Sequence, residues 1–131
     1  MVVPDASVIV DYLLGTRPAA EQIARRLAAE RELHAPHVLD LEVTQVLRRL
    51  AFRGPGEHSD AEAALSELTL LRLTRYPHGL LLDRIWELRD NLTAYDGAYV
   101  ALTEMLGATL LTSDAGLAGA PGVRCKIELF A

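Results

Sequence analysis

Four acidic residues stand where alternating strands and helices can bring them together: Asp5, Glu42, Asp96 and Asp114. Asp5 interrupts the apolar opening MVVPDASVIVDYL at the tip of a first strand, and Asp114 follows the run Thr109-Leu110-Leu111-Thr112 with only Ser113 between. Glu42 falls in the first turns of the helix after Leu33-His34-Ala35, and Asp96 opens an apolar helix that begins at Tyr95. In a parallel sheet, strand ends that lead into helices all point the same way, and ligands bind outside those carboxyl ends. At least three of the four acids can therefore meet on one edge. Carboxylates crowded in this way raise one another's pKa, and a hard divalent cation relieves the repulsion. An all-oxygen ligand set favours Mg²⁺ or Mn²⁺ over zinc. Such an ion keeps bound waters, one of which can attack a phosphodiester. His34, His37, His58 and His78 lack metal-ligand spacing and read as surface or packing residues.

Each acid also has an ordinary reading. Asp5 and Asp114 could simply cap the helices that follow them. Thr93-Ala94-Tyr95-Asp96 resembles a capping box with Asp in place of Glu. Glu42 lies at the border of an apolar stripe, where a charge is usually a solvated neighbour. Taken together, these readings require four independent features to gather at one edge. Three other acids are left outside the set. Asp11 is six residues beyond Asp5, which turns it away on a helix; Asp40 is offset from Glu42 by about 200°; Glu104, two turns beyond Asp96, is expected at the surface.

The elements that must position these residues alternate between apolar runs and helical periodicity, the pattern of βα units around a parallel sheet. Val2-Val3 begins the first strand, and Ser7 to Leu14 forms a short helix ending near Gly15. Pro18 suits the first turn of a helix over Pro18–Arg31. A strand at Leu33–Ala35 is halted by Pro36, and Val38–Phe52 reads as a helix with Leu39, Val43, Val46, Leu47 and Leu50 in its stripe. After the break at Arg53-Gly54-Pro55-Gly56, Ser59-Asp60-Ala61-Glu62 has the form of a capping box opening a helix to Leu71. An edge strand at Arg72–Tyr76, a helix from His78 to Arg89, the buried helix Tyr95–Leu106, the strand Thr109–Thr112 and a weaker strand Val123–Ile127 complete the chain.

The 131 residues suit a single domain, 1–131, able to bury about two-thirds of its surface. No apolar stretch approaches the ~20 residues of a membrane span, and Asp5 and Asp11 interrupt what would otherwise be a leader. One cysteine, Cys125, allows no internal disulfide; it reads as a packing residue, and a cytoplasmic location is expected. The net charge of −5 argues against coating nucleic acid by bulk electrostatics, though not against cleaving it. All thirteen basic residues but Lys126 are arginine. A compositional bias would produce that, and guanidinium forks also suit phosphate.

The segments VVPDASVIVDYL, HVLDLEVTQVLRR and NLTAYDGAYVALTEMLGATLLTSD resemble the successive motifs of PIN-domain ribonucleases, and more narrowly of VapC-type toxins of toxin–antitoxin pairs. The resemblance spans nearly the whole chain and is most specific from Asn91 to Asp114. It implies an α/β fold of three layers, α/β/α, with a parallel sheet of about five strands. It also implies Mg²⁺- or Mn²⁺-dependent endonucleolytic cleavage of RNA. Carried over by motif, Asp5, Glu42, Asp96 and Asp114 are the acidic quartet that binds metal and catalyses, and Thr112 takes the family's supporting hydroxyl position. Ser7 and Asn91 would orient waters or ligands. The implied partners are an RNA substrate, a VapB-like antitoxin and a second copy of the chain. Runs such as Leu13-Leu14, Leu68–Leu73 and Leu80–Leu82 supply apolar surface for such association.

Other classes fit less well. A haloacid-dehalogenase-type phosphatase wants a second aspartate where this chain has Ser7. A phospho-receiver domain wants an acidic pair after the first strand and a lysine near the fifth, whereas Asp5 stands alone and Lys126 lies inside the last strand. A binding module that kept the fold and lost catalysis remains an alternative that only an assay separates.

Overall fold

The computed structural model describes every residue, Met1–Ala131. Its five strands are β1 (Val2–Pro4), β2 (Leu33–Pro36), β3 (Leu73–Tyr76), β4 (Thr109–Thr112) and β5 (Lys126–Leu129). The helices are α1 (Ala6–Leu14), α2 (Ala20–Ala28), α3 (Val38–Ala51), α4 (Pro55–Leu70), α5 (Leu82–Glu87), α6 (Ala94–Leu106) and α7 (Ala115–Ala118), with a 3₁₀ turn at His78–Leu81. All strand pairings are parallel, in the order β1-β4-β5 for one ladder and β2-β3 for the other. β2 packs alongside β1, so the strands form one layer with a seam between the two ladders. β1 is only three residues long, and its last, Pro4, has no N–H to donate. Helices α1 to α4 pack on one another, while α5, the 3₁₀ turn and α6 form a second group.

β1 and β2 are buried at every position; β1 accordingly reads as an unbroken apolar run, whereas β2 carries His34, whose ring nitrogen is bonded to the Tyr76 hydroxyl. Seven consecutive residues of α6, Gly97 to Thr103, are buried, so this helix is the central support under the strands. Its ends are sharply defined. Thr93 Oγ1 accepts from the Asp96 N–H at 3.2 Å, and Gly107, at φ +63°, closes the helix in the left-handed conformation that costs glycine least.

Several boundaries differ from the sequence reading, for identifiable reasons. α4 starts at Pro55 rather than at Ser59, because proline is preorganised for the first helical position and its missing N–H would be unpaired there anyway. Ser59 and Glu62 thus lie inside the helix, and the predicted capping box is not a terminus. α2 starts at Ala20, with Pro18 left in the preceding turn. The segment after Pro77 divides into the 3₁₀ turn and short α5, consistent with the poor helix propensity of Gly79. The last strand lies later than Val123–Ile127, at Lys126–Leu129, because its register is set against β4, Leu110 opposite Ile127. Val123 is left in the turn before it, beside Gly122, whose carbonyl accepts from Arg84 at 2.7 Å. Glu104, expected at the surface, is largely covered: its carboxylate accepts from Arg84 at 2.7 and 3.2 Å and from the Arg124 N–H at 2.8 Å. Cys125 is half-buried and unpaired, and burial first, with Glu104 nearby, pushes its thiol up to about 11. No helix is long and apolar enough to cross a membrane.

Candidate active site

β1 and β4 are neighbours, so their carboxyl ends lie side by side, with Pro4 opposite Leu111 and the Asp5 N–H bonded to the Leu111 carbonyl at 2.9 Å. Asp5 is the N-cap of α1 and Asp114 the N-cap of α7. The ordinary reading of both residues is therefore true, and it is the capping geometry that aims the two carboxylates. Asp5 is buried and fixed on both oxygens. Oδ1 accepts from Ser7 Oγ at 2.5 Å and from the Val8 N–H at 3.1 Å, and Oδ2 accepts from Thr112 Oγ1. Thr112 Oγ1 in turn accepts from the Asp114 N–H at 3.0 Å, and Ser7 Oγ from the Ser113 N–H at 2.9 Å. Asp114 Oδ1 accepts from the N–H groups of Gly116 and Leu117 at 2.8 and 3.4 Å.

Asp96, in the first turn of α6, and Glu42, from α3, complete the group. Asp96 is pushed up to about 6, by burial first and then by the charges of Glu42, Asp114 and Asp5. Asp5 is also raised, by burial first and further by Asp114, against the hydrogen bonds from Ser7, Thr112 and Val8 that pull it down. The quartet thus shares one electrostatic neighbourhood. As they stand, no three acidic, histidine or cysteine side chains enclose a common point at metal-ligand distance. The donor set fits a hard divalent cation nonetheless: every candidate ligand is a carboxylate oxygen, and the neighbours that raise Asp96 are the charges an ion would offset.

This shift makes a stability prediction for the metal-free protein. Folded Asp96 holds its proton more tightly than the unfolded chain does, so its contribution is fully present below about pH 4 and is lost as pH rises through about 6. Wild type should therefore lose melting temperature from pH 5 to pH 7 relative to Asp96→Asn. Asp96 is half exposed and solvent screens it, so the difference is on the order of 1 kcal/mol. Parallel pH profiles for the two proteins in thermal melts would contradict it.

A cleft of about 760 Å³ opens beside the quartet, lined by Ser7 and Asp11 of α1, by Leu41, Glu42, Gln45, Val46 and Arg49 of α3, and by Tyr95. Arg49 takes part in no ion pair. The position of Asp11 corrects the sequence reading. It is buried, it borders this cleft, and it accepts from Ser113 Oγ at 2.8 Å and from Arg17 at 2.9 Å. Angular offset from Asp5 is the wrong measure, because Asp5 is a cap outside the helix. Ser7 and Asp11, four apart, share a face. Asp40 does lie apart, paired with Arg75 at 2.6 and 3.0 Å. Asn91 is exposed near Gly122 and makes no side-chain hydrogen bond to the quartet. Tyr99, unnoticed in the sequence, donates its buried hydroxyl to Glu42 Oε1 at 2.7 Å. Its spacing of three from Asp96 on one helix was the available signal.

Residues 2–122 match the PIN domain family. The chain is 44% identical over 128 residues to ribonuclease VapC1 of Mycobacterium tuberculosis, covering 97% of this chain and 96% of that one. The chain belongs to the PIN-domain family, among the VapC ribonucleases. Ribonuclease VapC9 of the same organism is 42% identical over 129 residues, covering 98% of each chain. The PIN fold is shared with a solved toxin–antitoxin complex from Klebsiella pneumoniae at 18% identity, with a TM-score of 0.67 over 100% of this chain and 98% of that one. In this PIN domain the three-layer α/β/α arrangement expected from the motifs is present, with its five parallel strands split into ladders of three and two.

Proposed function

We propose that this PIN domain is the toxin of a toxin–antitoxin pair, an endoribonuclease that hydrolyses RNA phosphodiester bonds at the quartet Asp5, Glu42, Asp96 and Asp114. The observation that carries this reading is Asp5 clamped at the β1–β4 edge, together with Asp96 in the field of Glu42, Asp114 and Asp5, four carboxylates from four different parts of the chain. Asp5, Asp96 and Asp114 would hold Mg²⁺ or Mn²⁺, with Glu42 completing the set. Such an ion, when bound, supplies charge neutralisation at a phosphate and a water of lowered pKa. The protein's own work is to aim oxygens. Ser7, Val8 and Thr112 fix Asp5, and the α7 backbone fixes Asp114. Arg49 and Gln45 line the cleft on the Glu42 side, where a guanidinium and an amide suit the phosphates and base edges of a single strand. Asn91, exposed and outside these hydrogen bonds, is assigned no part in them.

The partners follow from the same surface. Leu80, Leu82 and Trp86 are exposed, as are Leu41 and Tyr95 beside the cleft, while Leu68 and Leu81 pack internally. A VapB-like antitoxin and a second copy of the chain are the partners we assign to this apolar exposure. An arginine from the antitoxin suits the uncompensated carboxylates. The deciding experiment incubates structured RNA with the purified protein and Mg²⁺ or Mn²⁺, alone and saturated with the product of the adjacent antitoxin gene, and maps the new 5′ ends. Discrete cleavage that the antitoxin suppresses is the expected result. RNA left intact by the free protein would favour a binding module that kept the fold without the chemistry, and undiminished cutting in the complex would overturn the blocking role.

A further inference from the structure

The four carboxylates are not held equally. Asp5 has three donors and Asp114 has two backbone N–H groups. Glu42 has the longest side chain of the four and one restraint, the Tyr99 hydroxyl on Oε1. That hydroxyl does not wander. Tyr99 is 1% exposed, and its ring is packed in the core on the same helix that carries Asp96. The beginning of α3, one turn before Glu42, is anchored from another element, by the Val38 N–H donating to His78 Nε2 at 3.0 Å. Backbone and side chain of Glu42 are thus tied to separate parts of the structure, while Oε2 has no protein donor.

We propose that Tyr99 is a positioning residue for this site: its hydroxyl fixes the direction of the Glu42 carboxylate and leaves Oε2 for a divalent cation or its bound water. A buried tyrosine hydroxyl needs some acceptor in any case. What distinguishes this one is that its acceptor is a quartet member with no other protein donor, at the end of the longest of the four side chains, and that its own helix begins with another member, Asp96, whose carboxylate accepts no hydrogen bond from the protein. Groups that orient metal-binding side chains typically contribute ten- to a hundredfold in affinity, roughly the effect expected here. The inference rests on the reading of the quartet as a cation site.

The test is Mn²⁺ affinity, followed by the electron paramagnetic resonance of free Mn²⁺, together with metal-free thermal melts. Tyr99→Phe should weaken Mn²⁺ binding by about tenfold, with circular dichroism unchanged. Glu42→Asp, too short to reach the hydroxyl yet still a carboxylate on a partly exposed position, should weaken it similarly. Adding Tyr99→Phe to Glu42→Asp should then cost nothing more. A folded Tyr99→Phe that binds Mn²⁺ like wild type overturns the proposal, as does a further loss of affinity in the double variant. Should Tyr99→Phe fail to fold, Glu42→Asp decides alone, and wild-type affinity in it overturns the proposal. Absence of Mn²⁺ binding by the wild type would overturn the cation site itself, and this inference with it.

Discussion

Asp5→Asn should abolish RNA cleavage, by roughly a hundredfold or more, while the chain still folds. The magnitude follows from ranking: groups that merely orient metal ligands cost about ten- to a hundredfold when removed, and Asp5 is assigned as a ligand itself. The fold survives because asparagine caps helices as well as aspartate does. Its carbonyl oxygen can take the place of Oδ1, accepting from Ser7 and from the Val8 N–H, while its amide faces Thr112 Oγ1. Removing a buried charge whose pKa is raised by burial and by Asp114 also relieves the metal-free protein, so its melting temperature should equal or exceed that of wild type. Alanine would be a poorer choice, since it deletes the α1 cap and leaves two hydroxyls without their acceptor. Cleavage of the same bonds at close to the wild-type rate would refute the assignment of Asp5.

Removal of divalent metal should have a comparable effect. In EDTA, cutting should fall to the level of the Asp5→Asn preparation, which serves as the control for contaminating nuclease. Mg²⁺ or Mn²⁺ should restore it, and a zinc-selective chelator should leave it untouched. The reason lies in the donors: the quartet is all oxygen, and three of the four histidines are occupied elsewhere, while His37 is exposed at the start of α3. His34 is bonded to the Tyr76 hydroxyl at 2.7 Å, His78 accepts from Val38, and His58 pairs with Glu62 within α4. Specific cutting in EDTA, well above that control, would dismiss the metal mechanism.

The parts of this site that were legible in the sequence are those set by strand order. Asp5 and Asp114 end neighbouring parallel strands, so βα alternation alone brings them to one edge. Asp96 follows from Thr93, whose hydroxyl caps α6 and fixes where its first turn begins. What stayed hidden depends on contacts between elements distant in the chain. Nothing near Asp11 announces that Ser113 will meet it, and nothing near Glu42 announces Tyr99. The same distinction separates the element boundaries. Gly107 ended α6 where expected because a left-handed cap is a local property. The β5 register depends on pairing with β4, which the local sequence does not encode. Pro55 reads as a breaker although proline also opens helices, and the two uses look alike until the following residues are in place.

The hydrogen bonds that clamp Asp5 also set a time at which the site can exist. Thr112 and Ser113 reach back to Asp5 and Ser7 across 107 and 106 positions. A ribosome making this chain must therefore finish nearly all of it before the first carboxylate meets its supports. The growing polypeptide carries Asp5, Glu42 and Asp96 well before β4 is available to gather them. The site proposed for cleavage is therefore completed late, once β4 is in place. An antitoxin of the kind proposed would then meet a site that is completed only with the nearly finished chain, not one assembled early from an N-terminal piece.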